Sequence, residues 1–247
     1  MEINELALSV KYESKKKVKW KMVKLVEQKH EILTPIGVEM LKMIERIGRV
    51  CYKSEDKITD DSYIQFVQMI VKRQHFSVIE HCSVTVWFQT ERGVTHELVR
   101  HRLVSVSQES TRYCNYSKGK FGGEIAVIDK KGYLPGEFSL LYPPSNEKDE
   151  PRSSNYTVWK MSMDDAEHAY QMLIGNGISP QIARGVLPND LKTEIIVTAN
   201  LREWGHIFKL RSSANEGAHP CMKALIDPVL AEFRARLPII FDDLSGF

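Results

Sequence analysis

The chain has no apolar run approaching the roughly 18 residues that a membrane span needs, and nothing at its start reads as a secretory leader. A cytoplasmic protein is therefore expected. Cysteine is scarce: Cys51, Cys82, Cys114 and Cys221 form no C-x-x-C pair and no regular framework. That spacing suits a reducing compartment better than a disulfide scaffold. None of the four sits in a context that suggests a catalytic thiol. Charge imbalance is also missing. With 34 Lys and Arg against 32 Asp and Glu, the net charge is +2, so no bulk field calls for nucleic acid. Anion binding has to come from local clusters. There is no internal repeat.

What remains is an ordinary globular balance of 43% hydrophobic and 27% charged residues over 247 positions, enough to bury a core. That length leaves room for one large domain or two small ones, and a single domain over 1–247 is expected.

The densest chemistry lies in residues 96–113. Arg100, His101 and Arg102 stand in a row. Hydroxyls and amides follow at Ser105, Ser107, Gln108, Ser110 and Thr111, and then comes Arg112. Apolar Leu98, Val99, Leu103, Val104 and Val106 share the stretch, so part of it must be buried. Arginines carried into a half-buried place need anions, and their planar fork suits a phosphate or a planar imide. The bland alternative is a basic helix and a polar loop on a solvated face.

Coarse secondary structure places this stretch. Pro35 to Val50 reads as a helix with Val38, Leu41, Ile44 and Ile47 inward and Gly48 near its end. Residues 59–72 repeat the pattern, capped by Asp60 or Asp61, with Ile64, Val67 and Ile70 inward. Residues 15–24 alternate lysine with apolar side chains, as a half-buried edge strand would. Ser83 to Thr90 alternates as a strand, Glu91 to Gly93 turns, and Thr95 caps a helix carrying Glu97, Arg100 and His101. The Gly-, Pro- and Ser-rich residues 115–157 read as a long surface excursion. A helix opens at Ser162 to Asp165, and Ser179-Pro180 starts a short one bearing Arg184. Thr193 to Ala199 is a β-branched strand that runs into a capping box, Asn200-Leu201-Arg202-Glu203. The following helix carries Arg202 and His206 and ends at Arg211, and the last helix begins at His219-Pro220 with an expected kink at Pro228.

Arg-His-Arg, seven residues, Ser, one residue, then Arg-Tyr (Arg100-His101-Arg102, Ser110, Arg112-Tyr113) resembles the signature of the flavin-dependent thymidylate synthases. Three further segments are similar to that family in the same order. They are His75-x-Ser77-x-x-Glu80-His81, Ala183-Arg184-x-x-Leu187-Pro188, and Asn200-x-Arg202 with Arg211 after it. The resemblance spans roughly residues 36–240. It implies an α/β (α+β) fold with a central, mainly antiparallel sheet flanked by helices. It also implies a homotetramer whose active sites form between subunits. The implied reaction is reductive methylation of deoxyuridylate (dUMP) to thymidylate. 5,10-methylenetetrahydrofolate gives the carbon, FAD carries the hydride and NADPH supplies it.

By the same resemblance Ser77, Glu80, Arg100, His101, Arg102, Gln108, Asn200, Arg202 and His206 would meet FAD. Glu97, Arg100, Gln108, Glu109, Ser110, Thr111, Arg112, Arg184 and Arg211 would meet dUMP, and Arg211 would stabilise charge developing on the uracil. His75 and His219 would lie near the flavin and folate. Ser110 is expected to bind rather than attack, since no base adjoins it in the sequence. Three positions depart from the family's usual residues: Glu97 for Gln, Gln108 for Glu, and His206 for Asn. A carboxylate at 97 would repel a phosphate. No metal, nucleic acid or membrane partner is expected. Two other readings are a nucleic-acid module built on the N-terminal lysines and a zinc hydrolase built on His75, His81 and His101.

Overall fold

The computed structural model describes residues 22–139 and 152–247. In chain order the elements are β1 (Lys24–Val26), β2 (Lys29–Ile32), α1 (Val38–Tyr52), α2 (Tyr63–Lys72), β3 (Ser83–Glu91), α3 (Arg92–Leu98) and β4 (Val104–Gln108). Then come β5 (Ala126–Ile128), β6 (Glu137–Ser139), β7 (Arg152–Ser154), α4 (Asn155–Gly175), α5 (Pro180–Ala183), β8 (Lys192–Asn200), α6 (Leu201–Arg211) and α7 (Pro220–Arg236). A 3-10 segment, Phe76–His81, leads into β3.

The central sheet has the order β2-β3-β8-β4, and every neighbouring pair is antiparallel. Alternation decides its faces. Val84, Val86 and Phe88 of β3 lie opposite Ala199, Val197 and Ile195 of β8, and all six are buried. On the other face Thr85 meets Thr198 through their hydroxyls at 2.9 Å, and the Trp87 indole donates to Glu194 at 3.2 Å. Helices α1, α2, α6 and α7 contribute to the core that covers the apolar face. At its centre Trp204 is fully buried, and its indole N–H donates to the Val84 carbonyl at 3.0 Å. This satisfies the ring's one polar atom, as a buried tryptophan requires.

Several expectations need correction. Val38 and Ile64 are exposed, and Phe66 takes the inward place on α2. The cap of α2 is Ser62. Gly48 does not end α1, which runs on to Tyr52 and closes at Lys53 in the left-handed region. α3 starts at Arg92 without a turn before it, so Thr95 lies inside the helix, buried, with its hydroxyl donating to the Arg92 carbonyl. α4 begins at Asn155, capped by Ser154, and not near Ser162. As expected, α7 opens at Pro220 behind the His219 cap, and Pro228 lies inside it.

The excursion is largely not one. Tyr116, Ile125 and Val127 are buried against Met163, Tyr170, Ala183 and Leu191 in a second, smaller core, and β5 pairs in parallel with β1. β6 pairs with β7 as an antiparallel ribbon. Of the expected N-terminal strand, residues 15–21 lie outside the described residues, while Lys24 opens β1. Among the described residues no helix is long and apolar enough to cross a membrane.

Candidate active site

α6 follows directly on β8, the sheet's second central strand, and its backbone entry is held by the Asn200 side chain, which accepts from the Glu203 amide at 2.9 Å. Eleven residues carry the helix from that cap to Arg211. α3 and the turn after it bring Glu97 and His101 to the same place.

There the Arg211 guanidinium is held at three of its nitrogens. Nε donates to His101 Nε2 at 3.2 Å, Nη1 to the Glu97 carboxylate at 2.5 Å, and Nη2 to the Glu97 carbonyl at 3.5 Å. A guanidinium has five N–H donors, so two remain for a ligand. The acid at 97 is thereby explained. Its charge is matched by Arg211, so it does not confront an incoming anion alone.

His101 is buried, with Glu203 Oε1 3.4 Å from its Nδ1 and the His206 ring edge-on at 5.6 Å. Burial, then the Arg211 guanidinium and the neighbouring His206, push its pKa from 6.5 to about 4. It is neutral at physiological pH. Burial likewise raises the Glu203 pKa.

Glu97 also lines a cavity of about 420 Å³, together with Glu91, Lys130, Tyr133, Asp190 and His219. Two of the expected site residues, Glu97 and His219, thus share one cavity. On its wall Glu91, His219 and Cys221 offer ligand atoms within 4.8 Å of one another. A cation is already among them: Lys130 Nζ donates to Glu91 and to Cys221 Sγ at 3.1 Å, and lies 3.3 Å from Asp190. Burial alone would lower the Lys130 pKa, but the hydrogen bonds to Glu91 and Cys221 win and raise it. This group had no sequence signal beyond a lysine in a glycine- and proline-rich stretch.

The remaining expected residues fall in neighbouring clusters. Arg184 Nη1 donates to the Thr111 hydroxyl at 3.3 Å, which joins α5's exit to the Ser110–Tyr113 turn. Glu109 accepts from Tyr116 at 2.9 Å and faces Lys192 at 3.3 Å. Gln108 donates to the hydroxyls of Thr95 at 2.8 Å and Thr193 at 3.4 Å. Ser110 Oγ accepts from the Arg112 amide at 3.3 Å, and Arg112 lies over the Tyr113 ring. Arg202 pairs with Glu80 at 2.5 Å, which ties α6 to the 3-10 segment that carries Ser77. His75 Nδ1 meets the Tyr52 hydroxyl at 2.8 Å. Arg100, Arg102 and Arg112 have no carboxylate partner among the described residues. His75, His81 and His101 form no metal-ligating group among those residues.

Residues 38–239 match the family model described as "Thymidylate synthase complementing protein". The flavin-dependent thymidylate synthase of Geobacter sulfurreducens is 33% identical over 203 residues, which is 79% of this chain and 78% of that protein. That of Mycobacterium tuberculosis is 31% identical over 208 residues, 82% of this chain and 79% of that protein. Among solved structures, a UMP/dUMP methylase from Streptomyces cacaoi, bound with 5-Br dUMP, superposes with a TM-score of 0.67 at 20% identity. The match covers 91% of this chain and 98% of that one, a likeness of fold.

Proposed function

From membership in the flavin-dependent thymidylate synthase family, to which this chain belongs, we propose that it converts dUMP to thymidylate. The methylene carbon of 5,10-methylenetetrahydrofolate joins C5 of the uracil. The C5 proton leaves to solvent, and a hydride completes the methyl group while tetrahydrofolate departs. FAD, when bound, supplies that hydride from NADPH, a task no protein side chain can perform.

The chain's own groups suit such ligands. Arg100, Arg102 and Arg112 are exposed guanidiniums without carboxylate partners among the described residues, a donor set matched to phosphate oxygens of FAD and dUMP. Arg184, bonded to Thr111, sits beside the same turn and can take the nucleotide phosphate with Arg112 and the amides near Ser110. Glu80, Asn200 and Arg202 are linked through α6 and can frame the flavin. Ser110 has no hydrogen-bonded base among its described contacts, which supports a binding role.

Arg211 carries the reading. It is pre-positioned by Glu97 and His101 with two N–H donors to spare, which is what stabilising negative charge on a uracil edge demands. The test uses the purified protein with FAD, NADPH and the folate, and follows tritium release from 5-tritiated dUMP. We expect a yellow protein bleached by NADPH, and release that Arg211→Ala slows by about 10²- to 10³-fold. A colourless protein that releases no tritium would overturn the function. Unchanged release in the variant would remove Arg211 from catalysis.

A further inference from the structure

Glu203 belongs to no part of the proposed mechanism, yet it is a buried carboxylate only 3.4 Å from the histidine that holds Arg211. Its local role as the last residue of a capping box does not need its side chain at that point. The cap bond runs from the Glu203 amide to Asn200, and the carboxylate is turned toward His101.

The tautomer of His101 follows from its partners. Arginine Nε always bears hydrogen, and it points at His101 Nε2 at 3.2 Å. Nε2 must therefore present a lone pair. The ring is neutral, so its single proton is on Nδ1, the nitrogen that faces Glu203. At 3.4 Å the contact with the carboxylate is electrostatic and not a short hydrogen bond, but it favours the tautomer that puts the proton there. Protonation of Nε2 instead would set a donor against a donor and release Arg211 Nε.

We propose that Glu203 and His101 are positioning residues for Arg211: the carboxylate selects the Nδ1–H tautomer, and the freed Nε2 lone pair holds the guanidinium against Glu97. This rests on the reading of Arg211 as the uracil-activating group. Misplacing that group by even an ångström is the kind of change that costs large factors in rate.

The first test needs no substrate. In the flavin-loaded protein, ¹⁵N-histidine spectra should show His101 protonated at Nδ1, with Nε2 bare. Glu203→Ala should shift it toward a mixture, and Glu203→Gln, which can still turn an oxygen to Nδ1–H, should restore the single tautomer. A wild-type ring protonated at Nε2 would overturn the proposal, whether or not any variant folds. The second test is a kinetic cycle. Glu203→Ala should lower kcat for dUMP by about 10- to 100-fold with flavin content unchanged, while Glu203→Gln loses less. In an Arg211→Ala background the same change should cost nothing further, because the arginine it positions is gone. Additive losses would make Glu203 merely structural and reject the idea. If the wild type makes no thymidylate, the proposed function fails, and the ¹⁵N result still decides the positioning claim.

Discussion

His101 makes a pH prediction whose sign follows from its surroundings. Burial first, then Arg211 and His206, hold its folded pKa at about 4 against an ordinary 6.5. Between those values the folded chain binds fewer protons than the unfolded one. The stability from a neutral ring is fully present above about pH 6.5 and is lost as pH falls toward 4. Glu203 has the opposite sign: burial raises its pKa, so its contribution is present at low pH and lost as pH rises through the raised value. Comparing slopes rather than absolute stabilities separates the two. In urea titrations between about pH 7.5 and about 4.5, wild type should lose on the order of 3 kcal/mol more than His101→Gln. Parallel slopes would mean that the folded ring takes up its proton as readily as the unfolded one. At this scale the sequence already located Glu97, His101 and Arg211, because a compound motif fixes identities at fixed spacing. It did not locate Glu203, whose place in a capping box gave it a sufficient local explanation. Nor could it locate Lys130, whose partners Glu91, Asp190 and Cys221 come from three separate parts of the chain.

At the scale of elements, periodicity identified α1, α2, β3, β8, α6 and α7, and it failed where tertiary contact outweighs pattern. Gly48 shows this. A glycine just after the apolar stripe suggests a helix end, yet Gly48 lies buried within α1, where Phe66 of α2 occupies the space a side chain would need. A Cβ there would sit 2.5 Å from Phe66 Cε1 and 3.3 Å from Val78 Cγ1. On helix propensity alone Gly48→Ala should stabilise by about 1 kcal/mol. The contact predicts the reverse, a loss of about 1–3 kcal/mol from overpacking. Adding Phe66→Leu should recover part of it, as non-additivity in a double-mutant cycle measured by urea unfolding. A stabilised single variant would show that α1 and α2 can move apart freely. The second core leaves no pattern in the sequence for a related reason. β5 is three residues long, too short for any period to register, and it follows Gly122-Gly123, which reads as a turn. Tyr116, Ile125 and Val127 become core only through α4, whose Tyr170 and Met163 cover them.

At the scale of the whole molecule, the stretch that carries Arg100, Arg102 and Arg112 also bears strongly exposed apolar side chains. Leu103 is 74% exposed, Tyr113 78% and Ile182 67%, and Val99, Val106 and Val186 are exposed too. These residues are interleaved with Arg100, Arg102 and Arg112 and flank Arg184, which Thr111 joins to the same turn. β4, which carries Val106, is an edge strand of the central sheet. Exposed apolar side chains around a candidate ligand site call for cover, and the family resemblance implies that further copies of this chain would provide it. We propose a homotetramer whose neighbouring subunits close over the arginine-rich turn. Light scattering should then give a mass near four times 28.4 kDa. Burying Leu103 contributes about 1.5–3 kcal/mol at each copy of the interface, and a closed assembly repeats that loss at every symmetry-related site. Leu103→Asp should therefore dissociate the assembly and abolish thymidylate formation together, while far-UV circular dichroism and the core remain intact, since Leu103 packs in neither core. A monomeric wild type with full activity would show that one chain completes the site alone. An active, monomeric Leu103→Asp protein would separate assembly from catalysis and leave the exposed apolar turn without a role in either.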